Sequence, residues 1–153
     1  MKKNSIMKKR INVILITTLI LFIGAFAIKG IPAGTINKMK KVESVTVTRF
    51  VNGEEETTTI TREDDQQDKE KDKPFMRFEL SKNMMNMITY LPIPSEDFEP
   101  DYIYKFQMVN GKVKEYKMNE TFVSINGKCF KQHPKSEYET FKNITNHMYF
   151  FDK

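Results

Sequence analysis

The chain has 153 residues, enough for one domain and an appendage. Its formal charge of +5 is carried entirely by Lys2, Lys3, Lys8, Lys9 and Arg10, which leaves 20 basic and 20 acidic residues over 29–153. A nucleic-acid-binding face needs cations clustered against phosphate, so this distribution argues against nucleic acid as a partner. Cys129 is the only cysteine, so no internal disulfide is available and the fold must rest on its core.

The first ten residues, MKKNSIMKKR, form a basic tail. Ile11–Ile28 follows without a charge, and twelve of its 18 residues are Ile, Leu, Val or Phe. Those twelve favour insertion into a bilayer by about 4–7 kcal/mol, before Asn12, Thr17 and Thr18 subtract some. The length is just sufficient to span. Residues 11–28 are therefore expected to be a transmembrane signal-anchor helix, with residues 1–10 cytoplasmic and the rest extracytoplasmic. The alternative is cleavage after Ala27, at the small-x-small sequence Ala25-Phe26-Ala27, which would release the domain. Both readings export residues 42–153. Residues 29–41, with Gly30, Pro32, Gly34 and four lysines, read as a tether.

Val42–Arg62 reads as a β-hairpin. VESVTVTRFV alternates, Asn52-Gly53 turns, and EEETTTITR returns. A two-residue Asn-Gly loop favours a type I′ turn and fixes the register. Val51 then faces Glu54, Arg49 faces Glu56, Thr48 faces Thr57, Val45 faces Ile60 and Glu43 faces Arg62. One face carries Val45, Val47, Val51 and Ile60 and reads as core. The other carries Ser44, Thr46, Thr48, Phe50, Thr57, Thr59 and Thr61 and reads as largely solvated.

Glu63–Lys73 contains no apolar residue and reads as a loop or the charged first turn of a helix. FMRFEL (Phe75–Leu80) could form a short strand. Leu80, Met84, Met87, Ile88 and Leu91 then recur at helical spacing, with Ser81 as N-cap and Pro92 as terminator. IPSEDFEP reads as an extended connector. A second hairpin turns at Asn110-Gly111, with Met108 opposite Val113, Phe106 opposite Glu115 and Ile103 opposite Met118. A third turns at Asn126-Gly127, with Val123 opposite Phe130 and Ser124 opposite Cys129. The short link between them predicts an antiparallel meander. Ser136-Glu137-Tyr138-Glu139 has capping-box spacing, which predicts a helix over Glu137–His147; a final strand at Met148–Phe151 is the alternative.

Cys129, His133 and His147 are the only soft ligands or nucleophile–base partners besides methionine. They lack the paired spacing of a zinc site and the pattern of a Cys-His nucleophile. Thioethers select Cu(I), which makes Met84, Met85 and Met87 a second soft-metal set, but methionine at helical spacing is ordinary core filler. Gly-rich phosphate loops, Ser-x-x-Lys, His-Glu-x-x-His and nucleophile elbows are absent. No enzyme, cofactor or metal site is expected.

The stretch KVESVTVTRFVNGEEETTTIT and the later VNGK and INGK turns, behind a basic N-terminus and one apolar segment, give a layout that resembles small membrane-anchored envelope proteins of low-GC Gram-positive bacteria. The resemblance implies an exported α+β domain and supplies no activity and no catalytic residue.

The expected fold is thus α+β: an N-terminal transmembrane helix, then an antiparallel sheet of about six strands in Asn-Gly-turned hairpins, with one or two packed helices. The expected function is a membrane-tethered binding module for an envelope protein or a secreted peptide, through a sheet edge or through Thr46, Thr48, Phe50, Thr57, Thr59 and Thr61. A regulatory or immunity-type envelope protein is the first alternative, and a copper-binding protein the second.

Overall fold

A computed structural model of the chain describes residues 11, 14–18, 20, 21, 24, 30–36, 41–64, 77–133 and 136–151. It is an α+β fold with a single eight-stranded antiparallel sheet. In chain order the elements are β1 (Ile31–Pro32), α1 (Ala33–Ile36), β2 (Val42–Val51), β3 (Glu54–Thr61), α2 (Arg77–Met87), β4 (Thr89–Pro94), β5 (Tyr102–Met108), β6 (Val113–Met118), β7 (Phe122–Ile125), β8 (Lys128–Gln132) and α3 (Ser136–Tyr149). The strands lie in the order β1-β4-β8-β7-β6-β5-β2-β3.

The described residues between 11 and 24 are helical, and the Thr18 hydroxyl donates to the Ile14 carbonyl at 2.9 Å. No helix among the described residues is long and apolar enough to cross a membrane. Residues 1–10 and half of the expected 11–28 span lie outside the described residues.

Residues 30–36 are not a free tether. Ile31 and Pro32 pair with Tyr90 and Thr89, and the Ala33 amide donates to Ile88 O at 2.7 Å. Ala33 is fully buried. The glycines here serve close approach. A Cβ on Gly34 would lie 2.8 Å from the Asn86 carbonyl, and Gly30 adopts φ +71 against the Tyr90 backbone.

The first hairpin has the register its turn dictates, from Val51↔Glu54 to Ser44↔Thr61. Asn52 and Gly53 both take positive φ, as a type I′ turn requires. Strand β3 stops at Thr61, and Arg62 donates from Nη2 to Val42 O instead of facing Glu43. The third hairpin also keeps its expected pairing, Val123↔Phe130 and Ser124↔Cys129.

The second hairpin is displaced by one residue from expectation. Gln107 faces Val113, Phe106 faces Lys114, Ile103 faces Lys117 and Tyr102 faces Met118. Only Gly111 takes positive φ; Asn110 does not. The Met108 amide donates to Lys112 O at 2.8 Å, which closes a three-residue loop, Val109–Gly111, of the G1-bulge kind. A one-residue shift moves every side chain to the other face. Here it puts Tyr102, Tyr104, Phe106, Tyr116 and Met118 together on the buried face. Burial of five large side chains outweighs the preference of one turn.

Strand β4 takes the place of the expected helix end and of the first two connector residues, while 95–100 remain without regular structure. Pro92 and Pro94 are accommodated because the β4–β8 pairing is irregular between Leu91 and Pro94 and β1 pairs only at Thr89 and Tyr90. Helix α2 starts at Arg77, so the expected strand at 75–80 is absent from its described part. Its buried face is Phe78, Ser81 and Met85, one step round from the expected Leu80-Met84-Met87 stripe. Helix α3 runs through Tyr149, which removes the alternative of a final strand.

Helices α2 and α3 pack on one face of the sheet. Phe141 meets Tyr102 and Tyr104 with ring centroids 5.8 and 5.6 Å away, and Tyr104 donates to or accepts from Thr145 Oγ1 at 2.8 Å. Burial raises the Tyr104 hydroxyl well above its ordinary pKa, so it stays protonated and hydrogen-bonded. Ser81 and the Tyr149 hydroxyl bond across the two helices. The other face stays open over β3, β2, β5 and β6. Residues 95–101 cross it over β7 and β8, where Phe98 packs 5.7 Å from Phe122 and the Ser95 amide bonds Cys129 O.

Candidate interaction surface

Strand β3 is the last strand of the sheet, so one side of its backbone has no neighbour among the described residues. The turn decides which groups face out. In a two-residue hairpin the closing pair, Val51 and Glu54, exchanges both hydrogen bonds, and such pairs alternate along the ladder. Glu54, Glu56, Thr58 and Ile60 therefore bond inward to β2. Glu55, Thr57, Thr59 and Thr61 turn their amides and carbonyls outward.

The edge has a defined end. Asp64 Oδ2 accepts from the Thr61 amide at 2.6 Å and from its hydroxyl at 2.8 Å. These two bonds, the backbone one first, hold the Asp64 carboxyl below its ordinary pKa. The open stretch is thus Glu55–Thr59.

The side chains on the open face continue from this edge into the sheet. Thr57 and Thr48 share a hydroxyl hydrogen bond at 2.9 Å, and Thr59 and Thr46 share one at 3.0 Å. Thr46 stands beside Lys105 and Thr48 beside Ile103. Lys105 and Lys117 lie 3.8 and 3.7 Å from the Glu115 carboxylate. The result is a low, even surface whose hydroxyls already satisfy one another. Thr48 is buried and Thr46 half-buried; Thr57, Thr59 and Thr61 are exposed, and Phe50 is 38% exposed at the turn end. The six expected site residues therefore share one face, with the three on β3 most accessible.

Charge on the edge is uneven. Arg49 donates to Glu56 Oε2 from Nε and Nη2 at 3.0 and 2.8 Å, and its guanidinium sits 4.2 Å from the Phe150 ring centre. Glu56 is thereby neutralised on the helix-covered face. Glu54 and Glu55 make no ion pair among the described residues, so the turn end of the edge is acidic.

The expected soft residues do not converge. Cys129 lies on the open side, 3.9 Å from Asp97 Oδ1, while His147 sits on α3 across the sheet with Phe151 against its ring. His133 follows β8, and its carbonyl accepts from the Thr89 hydroxyl. Met85 is in the core, Met84 is half-buried, and Met87 is 73% exposed. No group of three His, Cys, Asp or Glu that could hold a metal occurs among the described residues.

A second concave feature was not expected. Leu80, Met84 and Met87 from α2, with Ile88 just after it, face Phe141 and Ile144 from α3 across a groove of about 490 Å³. The sequence does mark its α2 wall: these four are the apolar stripe read as core. They line an open groove because α2 is turned so that Met85 enters the core instead.

No family model matches the chain, and neither the comparison with curated proteins nor that with solved structures found a match.

Proposed function

We propose that this protein is a membrane-tethered, extracytoplasmic, non-catalytic interaction module that captures an extended segment of an envelope protein or a secreted peptide by strand addition to β3. The observation that carries this reading is the open edge at Glu55–Thr59, flush with the threonine face. Outward backbone groups supply affinity in strand addition, and alternate side chains supply selectivity. Uncompensated Glu54 and Glu55 favour a basic partner, and each opposite-charge cross-strand pair adds about 0.2–1 kcal/mol. The same carboxylates discourage neutral strands from pairing there by accident.

The membrane anchor is residues 11–28, with the basic tail inside. Ile14, Leu15, Ile16, Ile20 and Leu21 are all exposed on helical backbone, which supports burial of that helix in lipid. The resemblance to Gram-positive envelope proteins supports the same placement.

The test uses the full chain in lipid nanodiscs, titrated with an eight-residue peptide of alternating lysine and valine. Amide NMR shifts should concentrate at Glu55, Thr57 and Thr59, and Thr59→Pro should abolish them. A glutamate–valine peptide that binds as well, shifts centred elsewhere, or self-association through β3 in sedimentation would each refute the reading.

A further inference from the structure

The groove between α2 and α3 has two properties that a mere packing gap lacks. Its walls are apolar and its volume falls within the range of small-molecule sites. Gln132, at the end of β8, lines it with only 5% of its surface exposed, and its side-chain oxygen, itself buried, has no hydrogen-bond partner among the described residues. Buried acceptors are normally paired, so a vacant one at a groove wall rewards an incoming donor. The remaining polar lining is Glu137 and Thr140. Glu137 is therefore the single charge among the described residues of the lining, and it is negative.

We infer that this groove is a binding site for a small cationic amphiphile. The hydrocarbon body lies against Met84, Met87, Ile88 and Ile144; the ammonium head is attracted by the Glu137 carboxylate and donates to Gln132 Oε1 once that amide turns from its buried position toward the groove. Unbranched thioether side chains let the α2 wall adapt to different hydrocarbon shapes. An anionic amphiphile of the same length meets the like charge of Glu137 and is repelled by it. This site lies on the helix-covered side, away from β3, and does not depend on strand addition.

The probe is n-hexylammonium, with hexanoate as control, added to the full chain in nanodiscs and corrected for uptake by empty nanodiscs. Carbon-13 methyl signals of methionine report the site. Met84 and Met87 should shift saturably with hexylammonium while Met118, buried in the sheet, stays fixed. Gln132→Leu, close in size and without the acceptor, should weaken binding about tenfold. Glu137→Gln, an exposed change, should weaken it about threefold and narrow the preference over hexanoate. Equal binding of hexanoate, unchanged affinity in both variants, or shifts that never saturate would overturn the assignment.

Discussion

Proline substitution at neighbouring positions of β3 measures both the register and the openness of the edge. Thr58 points its amide inward to Val47, and its hydroxyl donates to the Tyr149 carbonyl at 3.3 Å. Thr58→Pro removes that amide and leaves the buried Val47 carbonyl without its partner, at about 1–3 kcal/mol. Loss of the hydroxyl bond adds about 0.5–1.5 kcal/mol. Thr59 points its amide outward, so Thr59→Pro breaks no ladder bond and loses only the exposed hydroxyl pair with Thr46, at about 1 kcal/mol or less. The two variants should differ by about 2 kcal/mol, a roughly 30-fold ratio of unfolding constants. Urea unfolding followed by near-ultraviolet circular dichroism of the tyrosines reads this as a midpoint difference of about 1 M, for a slope of about 2 kcal/mol per molar. Equal destabilisation would mean that both amides are equivalent, and would refute the hydrogen-bond phase from which the open edge was derived. A larger loss at Thr59 would place the register one residue away.

Three further outcomes follow from the turns and the docking segment. Asn52→Ala and Asn126→Ala should each cost about 1–2 kcal/mol, because alanine is strained at positive φ, and Asn126→Ala also removes an acceptor from the Glu115 amide; Asn110→Ala should cost less, since Asn110 is not in that region and only its bond to the Lys112 amide is lost. Thermal unfolding of the three variants ranks them. Gly34→Ala should cost about 1–3 kcal/mol through collision with the Asn86 backbone, and hydrogen exchange should show the Ala33 amide released first. Asp64 has a lowered pKa, so its contribution to stability is complete above the unfolded value of about 3.9 and is lost as pH falls through the folded one. Wild type and Asp64→Asn should thus differ near neutral pH and converge in acid, as measured by urea midpoints across that range.

What could be read from the sequence was local and doubly constrained. The first and third hairpins were legible because Asn and Gly both occupy positive φ there and the alternation agrees with the turn. The second failed because Val109-Asn110-Gly111 can close as two or as three residues. Only the joint burial of Tyr104, Phe106 and Tyr116, a property of two strands and the helices over them, selects the latter. Strand β4 was hidden by Pro92 and Pro94, whose tolerance depends on the irregular pairing with β8. The α2 face was misjudged because Ser81 belongs to the core through its bond to Tyr149, a partner 68 residues away. Of the interaction surface, the threonine face was visible as alternation. That β3 is terminal was not, because strand order is set by the long crossover from β4 to β5.

The docking of Ile31 and Pro32 on β4 has a consequence for the proposed anchor, because it ties the start of the described domain to one side of the sheet. If the proposed membrane segment ends at Ile28, three residue steps of about 3.3–3.6 Å would leave a leash of about 10 Å before the chain joins the sheet. The β1–β4 side would then be held next to the lipid surface. Strand β3 is seven strand positions away in the sheet order, about 34 Å at 4.8 Å per step. A sheet moored at one side in this way carries its open edge outward, at a reach set by the number of strands and not by the length of a flexible linker.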